Sequence, residues 1–230
     1  MFRILIVEDI KNTLDQLERF LLETFPDSQI DRAETVTQGR AFIEKAQAVD
    51  LPYHAVILDF KLPKESGDNP EDDESLCELI RRKMPQALLA HISAYSEDQA
   101  VQEHLRKSHI EQIGHNVFAL SKSDVFWPNQ LVTKMSAYLY GTRILKKLRF
   151  LFSEGGQTIN VDDWAGRSHV RGSGGLTHEI ADLRRDISAH WHELDAPTQN
   201  VIKSVFIVDT LREPVRVSLV DSETTGSQSK

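Results

Sequence analysis

Short, nearly continuous apolar runs at residues 2–7, 55–58, 88–92 and 117–120, and a weaker one at 28–33, alternate with stretches whose apolar residues recur every three or four positions. Continuous runs of this length suit strands covered on both faces. The stretches between them put Leu14, Leu17, Leu21 and Phe25 on one helical face, then Leu76, Leu79 and Ile80, then Val101 and Leu105. Strand followed by helix, repeated about five times, predicts parallel pairing through right-handed crossovers. The first half of the chain is therefore expected to be α/β: an open, doubly wound parallel sheet with helices on both faces.

The pattern changes after Asp124. Leu131, Met135, Tyr138 and Leu139 fit one more helix, and Leu145, Leu148 and Phe152 continue its stripe if the chain stays helical through Gly141. A helical glycine costs about 1 kcal/mol relative to alanine, so one long helix and two helices with a bend are both open. Residues 153–175 are rich in Gly, Ser and Asp and read as a long loop anchored by Trp164. A clear amphipathic helix follows, carrying Leu176, Ile180, Leu183, Ile187, Trp191 and Leu194, with Thr177 as its expected N-cap. Beyond it, Asp195, Ala196 and Pro197 start a helix carrying Val201, Val205 and Leu211, or else VFIVD and VRVSLV form two strands across a turn containing Pro214. The expected layout is a first domain over 1–139, a mainly helical region over 140–220 and a disordered tail over 221–230.

Composition narrows the field. The 230 residues are 40% hydrophobic and 27% charged, with no apolar run near membrane-spanning length and no cleavable leader pattern. A soluble, cytoplasmic protein is expected. The single cysteine, Cys77, excludes an intramolecular disulfide framework and a multi-thiolate metal site. The net charge of -8 sits in the first half: residues 1–124 hold 14 basic and 23 acidic side chains, a net of -9. Residues 125–230 are close to neutral, which argues against a DNA-reading domain there.

In a doubly wound sheet the functional crevice forms at the carboxyl ends of the strands. Here those ends carry Glu8 and Asp9 after the first strand, Asp59 after the third, Ser93 after the fourth and Lys122 after the fifth. Clustered carboxylates repel one another, so ionising all three requires a cation, and oxygen ligands suit a hard ion such as Mg²⁺. A carboxylate beside such an ion can attack phosphorus and form an acyl phosphate, with the ammonium and hydroxyl assisting the phosphoryl oxygens. Asp59 is the candidate nucleophile because it ends the central apolar strand AVILD.

The segments LIVED, AVILDFKLP, AHISAYS and FALSKSD resemble the receiver domain of two-component response regulators over about residues 1–139. The resemblance implies a flavodoxin-like (βα)5 fold, phosphorylation of Asp59 by a histidine kinase, phosphotransfer protein or small phosphodonor, and Mg²⁺ as cofactor. It assigns Asp9 as direct ligand, Glu8 as partner through water, and the Lys61 carbonyl as third protein ligand. Ser93 becomes the switch hydroxyl and Lys122 the phosphate-binding lysine. Two positions depart from the family. The aromatic residue common three positions before the lysine is Ala119 here, with Phe118 on the opposite strand face, and Ser123 replaces a frequent proline. Tyr95 is then the substitute aromatic by proximity. Lys61 and Tyr95 flank the site and are expected to hinder water, giving a long-lived acyl phosphate. The acidic stretch KESGDNPEDDES reads as a solvated insertion, with kinase recognition as the sharper alternative.

The resulting expectation is a cytoplasmic response regulator, not a turnover enzyme, that signals through protein–protein contacts of its C-terminal region, with a homodimer possible and DNA and membrane disfavoured. Three rivals stand beside it. One is a transcription regulator using Arg143, Lys146, Lys147 and Arg149. Another is a phosphorelay intermediate using His178. The third is a scaffold that never accepts phosphate. His178, Asp182, Asp186 and His190, each four apart, read as a charged solvent face with Arg184 and Arg185 as partners, not as a metal site.

Overall fold

The computed structural model describes residues 1–60, 62, 72–94, 116–153 and 174–219, with 72–75, 152–153, 174–177 and 219 as backbone only. It divides into two compact units, Met1–Met135 and Ser136–Lys230.

The first unit contains β1 (Arg3–Val7), α1 (Lys11–Thr24), β2 (Gln29–Ala33), α2 (Val36–Ala48), β3 (Ala55–Asp59), α3 (Asp72–Lys83), β4 (Leu88–Ser93) and β5 (Val117–Ser121), and it ends within α4 (Trp127–Ser153). The strands form one parallel sheet in the order β2-β1-β3-β4-β5. This is the flavodoxin-like doubly wound order, with its switch point between β1 and β3. β3 and β4 are buried at every position, as their unbroken apolar runs require. Leu5, Val7, Val56, Leu58 and Leu89 pack one face with Ile43 of α2 and Leu76, Leu79 and Ile80 of α3. Ile4, Ile6 and Ile57 alternate to the other face, and α1 buries Leu14, Leu17 and Leu21.

Two local choices fix α2. The Thr35 hydroxyl accepts the Gln38 N–H at 3.2 Å as its N-cap. At Gly39 a Cβ would lie 3.2 Å from Val7 Cγ2, so the glycine lets the helix sit close against β1. The Val101/Leu105 helix, the Trp164 loop, the 221–230 tail and residues 64–71 of the acidic insertion lie outside the described residues, while residues 72–75 of that insertion open α3.

The second unit contains the rest of α4, then α5 (Gly174–His190), a 3₁₀ turn (Trp191–Glu193), α6 (Ala196–Lys203) and an antiparallel hairpin of β6 (Phe206–Asp209) and β7 (Arg216–Leu219). α4 is one helix through Gly141. A Cβ at Gly141 would meet Thr198 Oγ1 at 3.2 Å, so this glycine admits α6 at close range, which offsets its helical cost. The stripe after it differs from expectation. Leu148 is buried as expected, and with Tyr140 just before the glycine, Ile144 and Leu151 are the other buried positions, whereas Leu145 is only half-buried. That set keeps a three-to-four spacing one residue out of phase with Leu145.

α5 buries Ile180, Leu183 and Ile187, and the stripe runs on through Trp191 and Leu194. The helix starts at Gly174, so Thr177 lies inside its first turn and is not the N-cap. The two alternatives weighed beyond Asp195 occur in series. Asp195 caps α6 by accepting the Thr198 N–H at 2.8 Å, and the helix stops at Lys203 in time for the hairpin. Val201 and Leu211 are accordingly exposed and do not form a buried helical face.

Candidate functional site

The carboxyl ends of β1, β3 and β5 bring the expected side chains together. β1 delivers Glu8 and Asp9, and β3 pairs with both β1 and β4, so Asp59 emerges at the sheet centre. Ligand oxygens of Glu8, Asp9 and Asp59 all lie within 4.8 Å of one another. Lys122, just past β5, reaches across the rim: its Nζ lies 2.7 Å from Glu8 Oε2 and 3.0 Å from Asp59 Oδ2. Its own backbone N–H donates to the Ser93 carbonyl at 2.7 Å, which ties the β5 end to the β4 end.

Burial makes the cluster electrostatically costly. Glu8 is fully buried and Asp59 is 7% exposed. Desolvation pushes the Glu8 carboxyl above its ordinary range; the hydrogen bond from Lys122 opposes the rise and the Asp59 charge adds to it. Asp59 is likewise raised by burial, with Lys122 pulling it down and Asp9 pushing it up. The Ile10 N–H, donating to Glu8 Oε1 at 3.3 Å, helps hold the buried carboxylate. Three carboxylates facing one ammonium leave two excess negative charges when all are ionised. An oxygen-only donor set with that deficit fits a hard divalent cation such as Mg²⁺.

Ser93 closes β4 at 4% exposure, one residue past the Ile92 that pairs with Asp59. Lys61 and Tyr95 lie outside the described residues. Phe118 is buried beneath Lys134, whose Nζ is 5.4 Å from its ring centroid, while Ala119 alternates to the opposite sheet face. The aromatic and the alanine thus stand as strand alternation assigns them.

The other candidate groups do not assemble. Among the described residues, the one cluster of potential metal ligands is Glu8, Asp9 and Asp59. His178 is 74% exposed and pairs with Asp182 at 3.2 Å. His190 stacks on Tyr140 with centroids 3.6 Å apart and pairs with Glu193 at 3.3 Å. Arg185 pairs with Asp182 at 2.8 Å as expected, whereas Asp186 binds Lys147 at 2.6 Å and Arg143 at 3.6 Å. Two of the four basic residues that carried the DNA alternative are thus already in ion pairs.

Two arrangements had no signal in the spacing. One is Asp186, whose partners come from another helix. The other is Cys77, whose Sγ lies 3.2 Å from His91 Nε2 in the core between α3 and β4.

No family model matches the chain, and no curated protein matches it. Solved structures similar to it include response regulator receiver domain proteins. A CheY-like receiver domain protein from Methanospirillum hungatei JF-1 is 21% identical, covering 59% of this chain and 90% of its own, with a TM-score of 0.44. One from Clostridium thermocellum is 16% identical, covering 63% and 99%, at 0.47. RcsB from Salmonella enterica serovar Typhimurium, solved bound to promoter rprA with phosphomimetic BeF3-, is 18% identical, covering 60% and 99%, at 0.43. The fold class rests on the strand order itself, 2-1-3-4-5 in a parallel sheet.

Proposed function

We propose that the first unit is the receiver domain of a response regulator, phosphorylated on Asp59, and that the second unit relays its state to a protein partner. The observation that carries this reading is Lys122 Nζ at 3.0 Å from Asp59 and 2.7 Å from Glu8, within a three-carboxylate pocket at the sheet switch point. Asp59 is the nucleophile: a carboxylate oxygen attacks the donor phosphorus, and the donor's leaving group departs with the electrons of the broken bond. Lys122 meets the developing charge on the phosphoryl oxygens, and Ser93 offers them a hydroxyl. Glu8, Asp9 and Asp59 would hold Mg²⁺, with the Lys61 carbonyl as a further ligand. The ion supplies charge neutralisation at the phosphoryl oxygens. The chain accepts one phosphoryl group and turns over no separate substrate.

The donor is a histidine kinase or phosphotransfer protein, or a small phosphodonor. Exposed Ile10, Val125 and Phe126 beside Asp9 and Lys122 favour a protein donor, because exposed apolar side chains at a site rim suit protein contact. No helix among the described residues is long and apolar enough to cross a membrane, which accords with a cytoplasmic regulator. The capture of Arg143 and Lys147 by Asp186 favours a protein target over DNA.

The test is intact mass after incubation with Mg²⁺ and acetyl phosphate. Wild type gains one phosphoryl group, and Asp59→Asn gains none. Equal labelling of both proteins would refute Asp59 as acceptor.

A further inference from the structure

Lys122 has to bring one ammonium to two buried carboxylates from the end of a long side chain. Its Nζ sits 2.7 Å from Glu8 Oε2 and 3.0 Å from Asp59 Oδ2, with the side chain 12% exposed. A lysine stem is flexible, so the aim of its ammonium depends on where the backbone holds the Cα. β5 ends at Ser121, and Lys122 stands just past it in a turn with Ser123.

That turn is tied down at both ends. The Lys122 N–H donates to the Ser93 carbonyl at 2.7 Å, and the Asp124 N–H donates to the Ser121 carbonyl at 3.1 Å, closing the chain around Lys122 and Ser123. Ser121 Oγ accepts the Ser123 N–H at 3.2 Å and shares a hydrogen bond of 2.5 Å with Ser123 Oγ. Asp124 then fixes the start of α4. Its Oδ1 accepts the Phe126 N–H and its Oδ2 accepts the Gln130 side-chain N–H, each at 2.9 Å, while its carbonyl accepts the Trp127 N–H at 3.1 Å. Lys122 is thus held between the end of β4 and the first turn of α4. Ser123 and Asp124 are exposed and Ser121 is half-buried, so water replaces most of these side-chain hydrogen bonds on unfolding and their net gain in stability is small. What the same bonds restrict is direction.

We propose that Ser121, with Ser123 and Asp124, forms a positioning clamp that aims the Lys122 ammonium at the phosphoryl group transferred to Asp59. The clamp rests on the reading of Asp59 as phosphoacceptor. The three residues act through Lys122, not on the phosphoryl group. A reacting group misplaced by about 1 Å can lose about 100-fold in rate, so a slack turn is felt in transfer before it is felt in folding.

The rate of phosphoryl uptake from acetyl phosphate at saturating Mg²⁺, followed by intact mass on the full chain, tests it. Ser121→Ala slows uptake about tenfold at unchanged circular dichroism and unchanged Mg²⁺ affinity, since Glu8, Asp9 and Asp59 stay in place. Ser121→Thr, which keeps the hydroxyl, reacts like wild type. Ser123→Ala has a smaller effect, because its N–H still reaches Ser121. Asp124→Ala slows uptake, and Asp124→Asn, which keeps an acceptor oxygen for the helix N–H, restores most of the rate. In a Lys122→Ala background Ser121→Ala brings no further loss, because the clamp then has nothing to aim. Ser121→Ala at the wild-type rate, or an equal loss with and without Lys122, would overturn the clamp while leaving Asp59 as acceptor. Wild type that shows no Asp59-dependent labelling would instead remove the reading on which the clamp rests, and the clamp with it.

Discussion

Each unit of this protein holds a small cluster of charged groups, four in the first and three in the second, and their charge balances are opposite. In the first unit Lys122 faces the two buried carboxylates Glu8 and Asp59, with Asp9 alongside. In the second a single carboxylate, Asp186, faces two cations, Arg143 and Lys147, whose side chains are 32% and 42% exposed. The first cluster is buried and short of positive charge. The second is wetter and has positive charge to spare. Buried carboxylates without enough counter-charge are unstable unless something else arrives, which is why they belong to a working site. A solvent-screened ion pair needs nothing further and ties two helices together for a small gain. Number of charges separates the two poorly; burial and balance separate them well.

The largest effect that sharpens this contrast is expected from Lys122→Ala. Removing the ammonium should slow phosphoryl uptake from acetyl phosphate about 100-fold or more, in line with losing a preorganised electrostatic partner. Asp186→Ala should leave that rate unchanged. If both variants react at the wild-type rate, the contrast between the clusters fails.

Next comes the divalent ion. Mg²⁺ at 100 times its dissociation constant should stabilise the fold by about 2.7 kcal/mol, read as a rise in melting temperature. Asp9→Asn should remove most of that rise. The pH dependence follows from the raised carboxyls. Glu8 and Asp59 bind protons more tightly when folded than their ordinary values of 4.5 and 3.8, so between those values and the raised ones the native state holds more protons than the unfolded chain. Without the ion, the contribution of these groups to stability should therefore fall as pH rises through that window. The Mg²⁺-induced stabilisation should grow over the same range, because the ion binds the ionised forms. Thermal melts across pH with and without Mg²⁺ check both signs.

A packing effect of similar or smaller size is expected in the second unit. Gly141→Val places side-chain atoms against Thr198, whose Oγ1 would lie 3.2 Å from even a Cβ. Overpacking of this kind should cost about 1–3 kcal/mol in urea denaturation, without altering phosphorylation of Asp59. The smallest effect is that of Asp186→Ala on stability: about 0.5 kcal/mol, vanishing at high salt, as befits a partly exposed pair.

The same contrast explains which features could be read from the sequence. Glu8, Asp9, Asp59 and Lys122 are legible because strand ends in a doubly wound sheet share one rim, so four separate positions collapse onto one place once the alternation of strand and helix is seen, with Ser93 at the neighbouring end of β4. Asp186 was legible only as part of a charged helix face. Its partners lie on α4, Lys147 being 39 residues away, and helical spacing says nothing about pairs between helices. On α4, Leu131, Met135, Leu139 and Leu148 are buried as their spacing requires, whereas Leu145 is not, because it is as apolar as its buried neighbour Ile144 and only packing chooses between adjacent residues. Beyond Asp195, both the Asp-Ala-Pro helix start and the β-branched runs are real signals. Their coexistence in 25 positions is possible because α6 is only 8 residues long.

The most direct measurement of the central claim is chemical mapping of the phosphoryl group. After labelling with acetyl phosphate and Mg²⁺, borohydride reduces an acyl phosphate to the alcohol, which marks the modified residue in a peptide mass spectrum. The account expects the mark at Asp59 and nowhere else, and far weaker at equal times in Lys122→Ala. A mark on another carboxylate, or an acid-labile label on His178 with Asp59 unmodified, would contradict it.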